Sequence, residues 1–359
     1  MRLPYKSIVV KIGTNALLSK RNTLHKKRLK DIANQLADLH EKGIHVVLVS
    51  SGAMGCGRVL IPASSSRSPV EERQLLAAIG QVELMFAYRN AFKRRDIIVA
   101  QVLATKDDFR SRKHYLNMMQ CFEIMLKENV IPIVNENDVV SVEELMFTDN
   151  DELAGLVTSM MEADALIMLT SVDGVMMDTK DGKRKEVIKI IRPDDTTENI
   201  EVSGKSSFGR GGMQTKLRIA KKLSSLGTVT HIANALTENI LGRILAGEEI
   251  GTLILPKKVK RSSTQRWLAS ATVQQQGSIV VDEGAARAVT GAKPTNLLPV
   301  GIRSFSGSFK KGDVISVCNL RGKVIGMGKA AYDSKQLEKN LGKHGQLPFI
   351  RCAYFVPLS

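Results

Sequence analysis

A pair of features recurs along the first two-thirds of this chain. A short unbroken run of Val, Ile and Leu is followed by a longer stretch in which apolar residues return every three or four positions. Ser7–Ile12 (SIVVKI) is the first such run, and Thr23–Lys42 behind it sets Leu29, Ile32, Ala33, Leu36 and Leu39 at helical spacing. Ile44–Val49 (IHVVLV) repeats the run, and a long helical stretch covers Val70–Arg95. Further strands are expected at Ile97–Leu103, Val130–Val134, Ala165–Leu169 and Val229–Ala233. A strand that is apolar along its whole length has no solvated face, so helices must cover both sides. The pattern predicts an α/β fold: a mostly parallel central sheet sandwiched by helices.

After Pro256 the pattern changes. A basic joint, Pro256–Arg261 (PKKVKR), leads to short strands and glycine turns from Gly277 onward, the marks of a small β-rich module. The joint has the look of a nuclear-localisation patch, but a plain basic linker is the favoured reading. With 359 residues the chain is long for one core. We expect one domain over residues 1–256, a linker over 257–274 and a second domain over 275–359.

Charge and composition narrow the function. The net charge of +16 favours anionic ligands, whether nucleic acid or small phosphates and carboxylates. Aromatic residues make up only 4%, poor material for stacking bases. No run approaches the roughly 18 apolar residues that span a bilayer, and the first residues lack the apolar core of a signal peptide. Cys56, Cys121, Cys318 and Cys352 are scattered with no metal-ligand spacing, so neither zinc nor paired disulfides are expected. A cytoplasmic location follows from that cysteine usage.

Three glycine turns are candidates for ligand binding. Lys11-Ile12-Gly13-Thr14-Asn15 closes the first strand, where backbone N–H groups and a lysine suit a phosphate; the alternative is a plain turn with a solvated lysine. Ser50-Ser51-Gly52-Ala53-Met54-Gly55-Cys56-Gly57 closes the second, and its glycines and hydroxyls let a ligand, a carboxylate for instance, approach the backbone unless the turn is merely structural. Gly209-Arg210-Gly211-Gly212-Met213-Gln214-Thr215-Lys216 opens a helix and makes a polyphosphate site of its N-terminus. The strict P-loop is absent, because Asn199 stands where the first glycine before Gly204-Lys205-Ser206 belongs. Two polar clusters join these turns: Asn135-Glu136-Asn137-Asp138 behind a strand, and Thr148-Asp149-Asn150-Asp151, of which one member can cap a helix. Acidic groups at a strand end can fix an ammonium, a metal ion or the two lysines.

Together these segments resemble the amino-acid kinase superfamily, and within it the glutamate 5-kinases. VVKIGTNAL, VSSGAMGCGR, IPIVNENDVVS, FTDNDELA, LTSVDGV and GRGGMQTKL are similar to that family's motifs in order. GSIVVDEGAARAV, LLPVGI, GSFKKGDVISV and GMGKAAYDS resemble a PUA domain, although Leu347–Ser359 reads less like the closing strand of one. The resemblance implies ATP-dependent phosphorylation of the γ-carboxylate of L-glutamate, the first step of proline biosynthesis.

It also implies roles. Lys11 and Lys216 would neutralise the transferring phosphoryl group, and Asp151 would hold both lysines. Gly13, Thr14, Thr170, Ser171, Arg210, Gly211, Gly212, Met213, Gln214 and Thr215 would surround the nucleotide with the two lysines. Ser51, Gly52, Ala53, Asp138 and Asn150 would bind glutamate. Ser171 stands where bacterial relatives often carry Asp, and Arg210 where they often carry Thr; neither change removes a charge-stabilising lysine. The co-substrate would be ATP with Mg2+, and no metal ligands on the protein are assigned. Proline is implied as a feedback inhibitor and a homo-oligomer, dimer or tetramer, as the assembly. From Gln275 to Ser359 there are twelve Lys/Arg and five Asp/Glu, a basic module that leaves RNA binding open. Subunit arrangement or regulation is the favoured role for it.

Overall fold

A computed structural model of the chain describes residues 5–19, 23–62, 64–140, 150–178, 185–195, 212–259, 261–270, 277–291 and 293–357. It forms two compact units, Met1–Lys260 and Arg261–Ser359.

The first unit opens with β1 (Ser7–Ile12), α1 (Thr14–Leu17), α2 (Lys26–Glu41), β2 (His45–Ser50), α3 (Ala53–Leu60) and α4 (Pro69–Lys93). It continues with β3 (Val99–Ala104), α5 (Lys106–Arg110), α6 (Arg112–Lys127), β4 (Ile131–Glu136), α7 (Asn150–Met160) and β5 (Ala165–Thr170). Three short strands follow, β6 (Met176–Asp178), β7 (Lys185–Val187) and β8 (Ile190–Ile191), then α8 (Met213–Ser225), β9 (Val229–Asn234), α9 (Ile240–Leu245) and β10 (Thr252–Ile254).

Eight of these strands make one sheet in the order β3-β4-β2-β1-β5-β9-β10-β8. From β3 to β9 every pairing is parallel, and β10 turns antiparallel against β9. The expected parallel α/β sheet is therefore present. Each apolar run forms its strand to within two residues. The second segment becomes helical only at Lys26, because Leu24 bridges back to Leu18 and His25 Nδ1 accepts the Arg28 N–H as a cap. At the start of α4, Ser68 and Glu71 form a reciprocal capping box around Pro69, which fixes where that long helix begins.

The pleat assigns each strand residue a face. Ile8, Val10 and Ile12 enter one core with Leu29, Ile32 and Leu36 of α2 and Leu84, Tyr88 and Phe92 of α4. Val9 and Lys11 therefore point to the other face, where α7 lies across β1. The chain leaves β1 toward β2 on one side and leaves β5 toward β9 on the other. That reversal opens a crevice beyond the carboxyl ends of the strands, the usual ligand position in an open α/β sheet.

The second unit contains α10 (Ser263–Ser270), β11 (Ser278–Val281), α11 (Glu283–Thr290), β12 (Ile302–Ser306), β13 (Val314–Cys318), β14 (Val324–Lys329), α12 (Ser334–Asn340) and β15 (Phe355–Pro357). Its sheet runs β12-β11-β13-β14-β15 over a core that includes Ile279, Ile315, Val317, Phe349 and Phe355. Helix α10 forms inside the stretch 257–274 expected as linker, and its Gln265 side chain donates to the Phe355 carbonyl. The tail that reads weakly in sequence still supplies β15, paired antiparallel with β14.

Candidate active site

The site gathers at the carboxyl ends of β1, β2, β4 and β5. Lys11, one residue from the end of β1, would be a costly burial if it stood alone. It does not: its Nζ lies 2.5 Å from Asp151 Oδ1, and the lysine is only 5% exposed. The other oxygen of Asp151 accepts from Lys216 Nζ at 2.8 Å. Asp151 itself is fully buried. Burial alone would raise the pKa of its carboxyl, but the fields of Lys11 and Lys216 and their hydrogen bonds overcome this and bring it down to about 2.

Local packing explains why these three groups meet. Asp151 lies in the first turn of α7 and Lys216 in the first turn of α8. One turn further along, Gly155 faces Ile219, and a Cβ there would stand 2.7 Å from Ile219 Cγ2. Lacking that carbon, α7 and α8 approach closely enough to join aspartate and lysine. At the start of α8, Gly212 is the N-cap and no side chain caps the helix among the described residues, which leaves backbone N–H groups for an anion.

A second corner forms around Asn150. Its Nδ2 shares its two hydrogens among three acceptors, Ser51 Oγ at 2.8 Å, Asn135 Oδ1 at 2.9 Å and the Ser50 carbonyl at 3.2 Å. Its Oδ1 is buried and has no hydrogen-bond partner among the described residues. Gly52, at φ +112°, turns the chain from β2 into α3 in a conformation that disfavours any side chain. Gly57 has a different job from the one expected of a ligand-binding glycine. A Cβ on Gly57 would meet the Leu76 carbonyl at 2.1 Å, and one on Gly80 would meet the Ala53 carbonyl at 1.7 Å. These two glycines let α3 and α4 cross in contact, and so hold Gly52 and Ala53 in place.

Asp138 follows β4, where Arg73 of α4 faces its carboxylate at 3.5 Å. Gln74 of the same helix donates to the Val139 carbonyl at 2.8 Å. On the far side of the crevice, the Gly13 N–H donates to the Leu169 carbonyl, and Lys11 Nζ lies 3.4 Å from where a Gly13 Cβ would stand. Thr14 begins α1. Thr170 ends β5, with its hydroxyl accepting the Val172 N–H, while Ser171 is exposed. Met213, Gln214 and Thr215 form the first turn of α8 with Lys216. Arg210 and Gly211 lie outside the described residues, as do Thr148, Asp149 and Gly204-Lys205-Ser206.

The structure thus brings Lys11, Asp151 and Lys216 into one ion cluster, and Ser51 and Asn150 into a hydrogen-bonded corner beside it. Sequence reasoning placed Asn135 in a candidate polar cluster without giving it a role, and missed Arg73 and Gln81 as members of this surround. Their signal was faint: Arg73 and Gln81 interrupt the buried stripe of α4 that includes Ala77, Leu84 and Tyr88. Among the described residues no group of three or more His, Cys, Asp or Glu side chains gathers for a metal ion.

A fold with buried cations at a switch point, beside an amide-lined corner, defines a class. The family model for the amino acid kinase family matches residues 6–234, and the chain belongs to that family. A PUA domain model matches residues 277–347. Glutamate 5-kinase of Chlorobaculum tepidum is 45% identical, over 98% of each chain. Glutamate 5-kinase of Bacteroides thetaiotaomicron is 40% identical, over 99% of each. Among solved structures, carbamate kinase from Giardia lamblia bound to AMP-PNP aligns at TM-score 0.53 and 19% identity, over 71% of this chain and 99% of that one. UMP kinase from Bacillus anthracis aligns at 0.50 and 20%, over 70% and 97%. At those identities the two solved structures speak for the fold alone.

Proposed function

We propose that this chain transfers the γ-phosphoryl group of ATP to the γ-carboxylate of L-glutamate, giving L-glutamyl 5-phosphate and ADP, the first step toward proline. The observation that carries the reading is the ion cluster: two ammonium groups held on opposite oxygens of one buried carboxylate, beside the Ser51–Asn150 corner. The full-length relatives named glutamate 5-kinase support the choice of substrate.

A γ-carboxylate is ionised at neutral pH and needs no base to become a nucleophile. One of its oxygens forms the new bond to phosphorus while the bond from phosphorus to the bridging oxygen of ADP breaks. The obstacle is the approach of an anion to a polyanion. Lys11 and Lys216 answer it by meeting negative charge as it spreads over the phosphoryl oxygens, with the N–H groups at the start of α8 beside them. Asp151 holds both lysines in position and takes no proton. Asp138 and the Oδ1 of Asn150, which has no partner among the described residues, are suited to the glutamate ammonium, and the Ser51–Gly52–Ala53 turn to its carboxylate. Magnesium enters on the ATP phosphates as part of the substrate.

Proline inhibition at or near the glutamate pocket, a homo-oligomeric assembly and a cytoplasmic location belong to the same reading. In the described residues no helix is long and apolar enough to cross a membrane. The PUA-like unit is read as arranging subunits or tuning regulation, with RNA binding the less favoured role. A salt-dependent gel shift with structured RNA that disappears when residues beyond Gly277 are removed would reverse that order.

The direct test is an ATP-dependent hydroxamate assay, which traps an acyl phosphate, with glutamate, aspartate and UMP offered separately. Hydroxamate is expected with glutamate. Activity confined to aspartate, or ADP release only with UMP, would overturn the assignment.

A further inference from the structure

Four side-chain amides stand in single file from the edge of the sheet to the pocket wall: Gln101 of β3, Gln81 of α4, Asn135 of β4 and Asn150 of α7. Backbone groups fix their polarity. The Glu136 N–H can only donate, and it donates to Asn135 Oδ1 at 2.9 Å. Asn135 Nδ2 must then face Gln81, where it donates to Oε1 at 2.9 Å. Gln81 Nε2 is left to donate to Gln101 Oε1 at 3.2 Å. At the inner end the Ser50 carbonyl can only accept, so Asn150 must turn Nδ2 toward it and toward Asn135 Oδ1. The Oδ1 of Asn150 is therefore the group turned away from the file. It is buried without a partner among the described residues. Flipping any one amide would set donor against donor, or acceptor against acceptor, at the next.

Gln81 and Asn135 are 8% and 4% exposed. A buried amide in the middle of α4 is unfavourable beside an apolar residue unless its hydrogen bonds are made, and here both ends of the Gln81 amide are used. We propose that Gln81 and Gln101 are positioning residues for substrate recognition. Together with the Glu136 N–H they keep Asn135 turned so that Asn150 presents Oδ1, an acceptor, to the substrate's ammonium group. The proposal rests on the reading of Asn150 as a glutamate ligand. It adds two residues on other elements as determinants of that contact.

The test compares the full-length parent with Gln81→Met, Gln81→Glu and Gln101→Leu in the hydroxamate assay, varying glutamate at saturating MgATP and then the reverse. Gln81→Met removes the acceptor that holds Asn135 Nδ2 and loosens its orientation, and should raise the glutamate KM about tenfold, the scale of one hydrogen bond to a charged group. Its kcat and its KM for ATP should stay near the parent's. Gln81→Glu still accepts from Asn135, while Gln101 can turn its amide to meet the second oxygen. Its glutamate KM should return close to the parent's. Gln101→Leu should show a smaller rise than Gln81→Met.

Equal losses in Gln81→Met and Gln81→Glu would make Gln81 a packing residue and overturn the proposal. So would losses that fall equally on kcat, ATP and glutamate. Should Gln81→Met fail to fold, as judged by its melting transition, Gln101→Leu at the exposed edge decides the matter, and a parental glutamate KM there refutes the relay. A parent that makes no hydroxamate from glutamate refutes the functional reading and the proposal together; an active parent beside unaffected variants refutes the proposal alone.

Discussion

Replacing Asp151 by asparagine tests the centre of the site with no change in size. In the parent, Lys11 Nζ lies 2.5 Å from one carboxylate oxygen and Lys216 Nζ 2.8 Å from the other. An amide offers one oxygen to one ammonium and must turn its NH2 toward the second, a donor facing a donor. One lysine is expelled, or both stay and repel. Stripping the partner from a buried ion pair costs about 3–5 kcal/mol. For a domain of this size, each kcal/mol lowers the melting temperature by roughly 2–4 °C, so the first unit should melt about 6–20 °C lower. MgATP brings a replacement anion to the ammonium groups, so its stabilising shift should be larger in Asp151→Asn than in the parent. Turnover should still fall by about two orders of magnitude, because the lysines are no longer pre-placed for the transition state. Thermal unfolding with and without MgATP, alongside the hydroxamate assay, reads all three effects. An Asp151→Asn protein that melts with the parent and keeps a third of its turnover would refute the account of the cluster.

Three further expectations follow from the same geometry. Lys216→Ala should lose about 10²–10³-fold in kcat, the scale of one charge-stabilising donor, while the glutamate KM changes little; initial rates over a glutamate series decide it. Gly80→Ala drives a methyl into the Ala53 carbonyl and must part α3 from α4, so it should lower stability by about 1–3 kcal/mol and raise the glutamate KM, as read by denaturant unfolding and the same rate series. The carboxyl of Asp151 sits near 2 in the folded chain against an ordinary 3.8, so its contribution to stability is full above about pH 4 and is lost as the pH falls toward 2. The melting temperature of the parent should therefore drop more steeply over that window than that of Asp151→Asn.

The sheet was open to a reader of the sequence because its apolar runs are too short for helices, and several end at glycine turns. SIVVKI, IHVVLV and ALIML appear as β1, β2 and β5 nearly residue for residue. Helix α10 was hidden because Ser263–Ser270 is only two turns long, with its apolar residues in one run, Trp267-Leu268-Ala269, rather than at helical spacing, and sits beside a basic joint. Lys11, Asp151 and Lys216 were visible as charged residues at strand and helix ends. Their convergence was legible only through the family resemblance, since in the residues themselves it depends on Gly155 letting α7 approach α8. Gln81 was invisible for a related reason. A glutamine in a long helix reads as surface, and only the pairing of β3 with β4 sets Gln101 and Asn135 close enough to use both ends of its amide.

The same cluster limits which acceptors the site can serve. Two lysines hold the carboxyl of Asp151 so far below the neutral range that it has almost no affinity for a proton at pH 7. It therefore cannot act as the base that would strip a hydroxyl nucleophile. Arg73 faces the carboxylate of Asp138 at 3.5 Å, so this acid too already has a cation beside it. With Asp151 and Asp138 both set against cations, the described site gains nothing from an acceptor that must first lose a proton. It is matched to one that arrives already ionised, and there the two ammonium groups on Asp151 oppose the repulsion that remains between acceptor and ATP. Swapping glutamate for an analogue with an alcohol in place of the γ-carboxylate should abolish transfer even where the analogue binds. Phosphorylation of such an alcohol at a comparable rate would show that a base operates in the site, and Asp151 could then no longer be only a clamp for two lysines.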